Sequence, residues 1–189
     1  MLWRKLLCAI LSLLLLTGCS TGSKPTQKAL DFRTALMEAG GCSFTADIMA
    51  DYDQRVYNFT VTCDYKTTGS AVITVTAPEE IAGISATVSA DTATLEFDGL
   101  ELEFGQMANG LISPMEASRL LAQCWLSAYI DSAGADGDLE RITYLDGYRE
   151  KELTVDTWLN KDQKPVHGEI TYEGVRRLKL DITDFTWNT

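Results

Sequence analysis

Five cysteines and a single histidine are the residues whose chemistry the sequence must account for. No two cysteines stand two residues apart, and His167 has no second histidine to share a metal ion with, so metal binding has no support. No cofactor is implied. His167 follows Pro165-Val166 near a turn, where a solvated histidine is the ordinary case. No serine or cysteine has a neighbour that would activate it as a nucleophile. Carboxylates abound, and Glu96, Glu101 and Glu103 alternate along the chain, which places them on the water side of a strand. The reading is of a protein that is not an enzyme.

One thiol does sit in a chemical context. Arg4 and Lys5 precede an apolar run from Leu6 to Leu16, followed by Leu16-Thr17-Gly18-Cys19. The run is the length of a secretory leader and too short for a spanning helix, which needs about 20 apolar residues. The tetrapeptide resembles a bacterial lipobox: Leu16, then the small residues Thr17 and Gly18, then Cys19. The resemblance implies that the Cys19 thiol takes a diacylglyceryl group and becomes the mature N-terminus. Residues 1–18 then form the leader, 19–26 the lipidated end and linker, and 27–189 the folded domain. The expected location is extracytoplasmic, anchored in the membrane through acyl chains such as palmitate. In a two-membrane envelope, Ser20 after the lipidated cysteine is compatible with outer-membrane sorting by family analogy. With one membrane the protein faces outward on the cytoplasmic membrane.

Outside the cytoplasm disulfides persist. Cys42, Cys63 and Cys124 remain in the domain. A two-residue turn at Tyr52-Asp53 would set Cys42 opposite Cys63, where they could bridge two strands or stand as two small buried hydrophobes. Cys124 lies in an apolar helix and is expected to be a buried free thiol.

The net charge of −11 becomes more negative once Arg4 and Lys5 leave with the leader. Such a surface repels phosphate backbones and anionic headgroups, which argues against nucleic-acid partners and makes the covalent lipid the means of membrane contact.

The elements that carry these residues are mostly strands. Asp98-Gly99 predicts a type I′ hairpin that sets Phe97 opposite Leu100, Leu95 opposite Leu102 and Ala93 opposite Phe104. A two-residue loop at Ala90-Asp91 pairs Val88 with Ala93 and Ala86 with Leu95. A three-residue loop ending in Gly69 pairs Tyr65 with Ala71, Cys63 with Ile73 and Val61 with Val75. The Tyr52-Asp53 turn pairs Phe44 with Val61 and Ala46 with Phe59. One apolar face results, with polar residues alternating, as in an antiparallel sheet. Its residues are either core or the wall of a lipid-sized cavity.

A helix is predicted from Thr26 to Ala39, stopped by Gly40-Gly41, with Leu30, Phe32, Leu36 and Met37 on its apolar side. A second begins at Ser113-Pro114 with Glu116 completing a capping box, and runs to about Ile130. The stretch 131–138 reads as a loop. Strands follow over 139–145, 148–159, 166–172 and 175–182, with a bulge near Thr183-Asp184. At Glu173-Gly174 a two-residue loop would oppose Ile170 to Arg177, and a three-residue loop Ile170 to Leu178. Trp158 and Trp187 are core plugs or cavity rims.

The order leader, helix, strands, helix, strands resembles the LolA/LolB-like lipoprotein-carrier superfamily, including its lipoprotein members in Gram-positive bacteria. The residues carrying the likeness are Pro78-Glu79-Glu80-Ile81-Ala82-Gly83-Ile84, the Asp98-Gly99 hairpin, Ser113-Pro114 and the run Leu178–Phe185. The resemblance implies an α+β domain, mainly antiparallel β: a strongly curved open half-barrel sheet with two covering helices. It also implies a hydrophobic cavity that accepts acyl chains. The expected ligand face comprises Phe44, Phe59, Val61, Ile73, Val75, Leu95, Leu102, Leu121 and Trp125, with an acyl chain, lipid or lipoprotein between the sheet and the second helix. The alternative is a lipoprotein of the cell envelope that uses the same fold as a scaffold for a protein partner.

Overall fold

Alternating apolar residues, glycine-bearing turns and two capped helical runs build one large sheet with two helices against it. The computed structural model describes residues 24–89, 92–104, 107–108, 111–147 and 153–188. Leu16, Thr17, Gly18 and Cys19 lie outside the described residues, as does the start of the strand expected from Tyr148.

Helix α1 (Lys24–Glu38) is followed by β1 (Gly41–Asp51), β2 (Val56–Lys66), β3 (Ala71–Ala77), a 3-10 turn (Glu79–Ile81), β4 (Ser85–Val88), β5 (Ala93–Phe97) and β6 (Leu100–Phe104). A short hairpin of β7 (Met107–Ala108) and β8 (Leu111–Ile112) leads through a second 3-10 turn (Pro114–Glu116) into α2 (Ala117–Ser127). Strands β9 (Tyr129–Asp136), β10 (Leu139–Asp146), β11 (Leu153–Leu159), β12 (Pro165–Tyr172) and β13 (Val175–Trp187) complete the chain. The 11-stranded sheet runs β6-β5-β4-β3-β2-β1-β13-β12-β11-β10-β9. The first and last strands are neighbours at its middle, so β6 and β9 are its edges and it stays open. The result is the curved half-barrel with a helical lid that the resemblance implies.

Most predicted pairings are found. Phe97 faces Leu100 and Leu95 faces Leu102 across a turn with positive φ at Asp98 and Gly99. Val88 faces Ala93, Cys63 faces Ile73 and Val61 faces Val75. The β12–β13 turn combines both expected registers. Glu173 and Gly174 form a two-residue turn with Tyr172 opposite Val175, and a bulge one step on then sets Ile170 opposite Leu178. Irregular pairing between β1 and β13 around Asp184, whose φ is +52°, lets β13 continue to Trp187.

Four expectations are corrected. The β1–β2 turn sits at Asp53-Gln54, with the Tyr52 amide donating to the Arg55 carbonyl. The register therefore moves by two: Phe44 faces Cys63, Ala46 faces Val61, and Cys42 faces Tyr65 rather than Cys63. A shift of two keeps every side chain on its face, so hydrophobic alternation did not distinguish the registers. Cys42, Cys63 and Cys124 are all buried free thiols. Second, the stretch 131–138 is not a loop. It belongs to edge strand β9, and only Gly137 and Asp138 turn the chain. Small residues there suit an edge that needs no packing on both faces. Third, Ser113 makes no side-chain cap, and α2 ends at Ser127. Glu116 instead turns inward, fully buried, and accepts a hydrogen bond from Arg119 Nε at 2.8 Å. Fourth, Leu30 and Met37 of α1 are exposed, while Ala29, Phe32 and Leu36 are buried.

The helices pack over β1, β2, β9, β10, β12 and β13. At the centre Trp125 is fully buried, with ring centroids 5.5 Å from Phe32, 5.7 Å from Phe44 and 6.2 Å from Phe185. Its Nε1 donates to Thr157 Oγ1 at 2.8 Å. Arg33 of α1 donates to the carbonyls of Trp125 and Ala128 at 2.8 and 2.6 Å, and so satisfies the open C-terminal turn of α2. Lys28 pairs with Glu140 at 2.6 Å and fixes α1 to β10.

Candidate functional site: an open apolar groove

The space expected between the sheet and α2 is filled. Phe44, Val61, Ile73, Val75, Leu121 and Trp125 are buried core residues in one packed cluster. Gly168 of β12 is the mark of that fit: a Cβ there would lie 2.9 Å from Leu121 Cδ. The expected ligand face divides into this core and a smaller, accessible part.

The accessible part lies at the end of the sheet that carries the β1–β2, β3–β4 and β5–β6 turns. An open groove of about 970 Å³ is lined there by Phe59 of β2, Val75 of β3, Ile84, Leu95 of β5, Ile81 of the first 3-10 turn, and Met115 of the segment entering α2. Its volume falls in the range of about 300–1,000 Å³ typical of small-molecule sites. Phe59, Val75 and Leu95 were on the expected ligand face. Ile81 and Met115 were not, because their place depends on how the 3-10 turns lie over the sheet edge.

Beyond Leu95 the described apolar residues of the concave face are exposed. Leu102 is 63% exposed, Leu100 75% and Phe97 43%. The alternation that puts these residues on the inner face is correct, but the two helices cover the opposite half of the sheet. Leu102 is thus an exposed residue rather than a cavity wall, next to Leu95, its cross-strand partner. Glu96, Glu101 and Glu103 are exposed on the other face, as expected.

Polar groups gather at the β1–β2 end. Strand alternation aligns Arg55 and Tyr57 with Phe59. Arg55, Tyr57, Asn58, Gln54 and Asp53 line the groove there. Asp53 is held by Arg177 at 2.9 Å. Burial, with a smaller contribution from Tyr57, pushes the Tyr52 phenol up to about 12, and the nearby Arg177 opposes the rise.

The remaining chemistry lies elsewhere. His167 is on the outer face, with Nδ1 2.6 Å from Asp181 Oδ1 and its ring 4.9 Å from Trp158. Among the described residues no hydroxyl or thiol is hydrogen-bonded to His167. Trp158 is neither core plug nor cavity rim: Arg141 lies over its ring and its Nε1 donates to Asp136. Trp187 packs on Phe32 and Phe185 at the margin of the core. Burial raises all three thiols, Cys42 to about 12 with a lesser contribution from Asp64, the opposite of an activated nucleophile. Among the described residues no cluster of metal ligands occurs, and no helix is long and apolar enough to cross a membrane.

No protein-family model matches the chain, and no curated protein matches its sequence. Solved structures do match. A LolA superfamily protein from Nitrosomonas europaea is 10% identical, over 85% of this chain and 94% of that one, with a TM-score of 0.42. The lipoprotein LppX of Mycobacterium tuberculosis is 13% identical, over 88% and 97%, with a TM-score of 0.42. A chain of the complex between the CwlD amidase and the GerS lipoprotein of Clostridioides difficile is 16% identical, over 89% and 98%, with a TM-score of 0.44. At these identities and TM-scores the likenesses reach no individual residue; the open, curved sheet with two helices against it is the arrangement that the sequence resemblance implies.

Proposed function

We propose that the chain is an extracytoplasmic lipoprotein, anchored through lipid on Cys19, that holds an acyl chain in the groove at the β1–β2 end of its sheet. The observation that carries this reading is the apolar groove of about 970 Å³ and its continuation into the exposed Leu100 and Leu102. Apolar residues on a concave, uncovered sheet face gain by meeting an apolar ligand, at roughly 25 cal/mol per Å² removed from water. The ligand lies beside α2, over β2–β6, and not beneath it. The domain spans 27–189, behind a leader of residues 1–18 and a short linker.

Native mass spectrometry of residues 20–189 tests this. Lipid released on denaturation, or uptake of added fatty acid, is the expected result. Filling the groove with Leu95→Trp should abolish uptake. A clean mass with no uptake would sink the reading.

The second reading is a scaffold for an envelope protein. The open edges β6 and β9 favour it, since unpaired strand edges can accept a partner strand. A membrane pull-down that recovers one stoichiometric protein and no lipid would support it.

A further inference from the structure

We infer that the groove selects an anionic head as well as an apolar tail, and that its ligand is a single-chain fatty carboxylate bound by Arg55. The inference rests on the groove being the ligand site and adds the class of ligand. In a chain of net charge −11, the groove is a place where a cation meets an open apolar surface. Arg55 is the one cation among its described lining residues. The lining holds one carboxylate, Asp53, and Arg177 already neutralises it at 2.9 Å. No carboxylate among the described residues pairs with Arg55. The Tyr57 phenol interacts with its guanidinium, and the amides of Asn58 and Gln54 line the same end.

A planar guanidinium presents two parallel N–H groups that fit one carboxylate, and neighbouring amides can donate to its remaining lone pairs. One cation with no carboxylate partner among the described residues suits a head of one charge. From β2, which carries Arg55's end of the groove, to β6, which carries Leu102, is four strand steps in the sheet order. At about 4.8 Å per step this is about 19 Å, within the reach of a long acyl chain. A head at Arg55 therefore lets the tail cross Phe59, Val75 and Leu95 and end on Leu102.

Three matched photoreactive probes of one chain length decide the matter: a fatty acid, the fatty alcohol and the alkyl phosphate. Each is added to the full chain in a short-chain neutral detergent, which competes with all three alike. The acid is expected to label several-fold more than the alcohol, on peptides from 52–59 or 75–95. Arg55→Gln should lower acid labelling to the alcohol's level, and a circular-dichroism spectrum and urea midpoint matching the parent's show that the variant is folded. Equal labelling by acid and alcohol, an unaltered ratio in Arg55→Gln, or preference for the phosphate would overturn the carboxylate site while leaving the groove in place. No labelling by any probe would remove the groove reading and this inference together.

Discussion

Trp125 and Leu102 are both apolar residues of the inner surface, yet truncation should separate them. Trp125 is fully enclosed by Phe32, Phe44 and Phe185 and hydrogen-bonded to Thr157, so Trp125→Ala leaves a cavity and an orphaned hydroxyl. The expected loss is about 3–5 kcal/mol in urea unfolding. Leu102→Ala, at an exposed position, should change stability by less than about 0.5 kcal/mol. The thiols give a second residue-scale prediction. Cys42, Cys63 and Cys124 are buried, so a thiol reagent at pH 8 should leave them unmodified until the protein is denatured. Because burial holds the folded Cys42 thiol near 12, well above its ordinary value of 9.0, the unfolded chain ionises first as pH rises. Above about pH 9 the folded state then binds more protons than the unfolded one. Stability should be unaffected by this group below pH 9 and fall between about pH 9 and 12, which urea midpoints across that range would check.

At the scale of elements, α2 is seated by what the sheet leaves out. Gly168 admits Leu121, and a Cβ there meets Leu121 Cδ atoms at 2.9 and 3.0 Å. Gly168→Ala should cost about 1–3 kcal/mol by lifting the helix. Gly134→Ala in β9 meets nothing within 4 Å and should be close to neutral in the same unfolding assay. Turn chemistry made much of the sheet legible: Asp98-Gly99 and Gly69 each fixed a register because a positive φ allows few loop lengths. The β1–β2 turn was not legible. Tyr52-Asp53 and Asp53-Gln54 bury the same face, and the choice between them is made by the full ladder. Strand β9 was missed because Asp, Ser, Gly and Ala carry no strand preference, and pairing with β10 supplies what propensity lacks.

The whole molecule is a sheet whose two halves are treated differently: one lies under α1 and α2, the other leaves apolar residues exposed at its β5–β6 edge. If the domain is tethered through Cys19, labelled palmitate should enter the protein in growing cells and be absent from Cys19→Ala. Incorporation into the variant would disprove the anchor. The sequence by itself determined the antiparallel class, most strand partners, the inner and outer faces and the two helices, because alternation and turn conformation are local properties of the chain. It also marked Cys19 and nine inner-face residues as candidates. Only the tertiary structure decided which of the nine are core. Phe44, Val61, Ile73, Val75, Leu121 and Trp125 are closed in by helices and strands distant in sequence, while Phe59 and Leu95 open onto a groove with Val75 as its buried floor. The physical reason is that periodicity tells a side chain which way to point, and what it meets there depends on where α2 crosses the sheet. That crossing is set by Gly168, by the Thr157 hydroxyl under Trp125, and by Arg33 at the end of α2, three contacts between segments far apart in the chain.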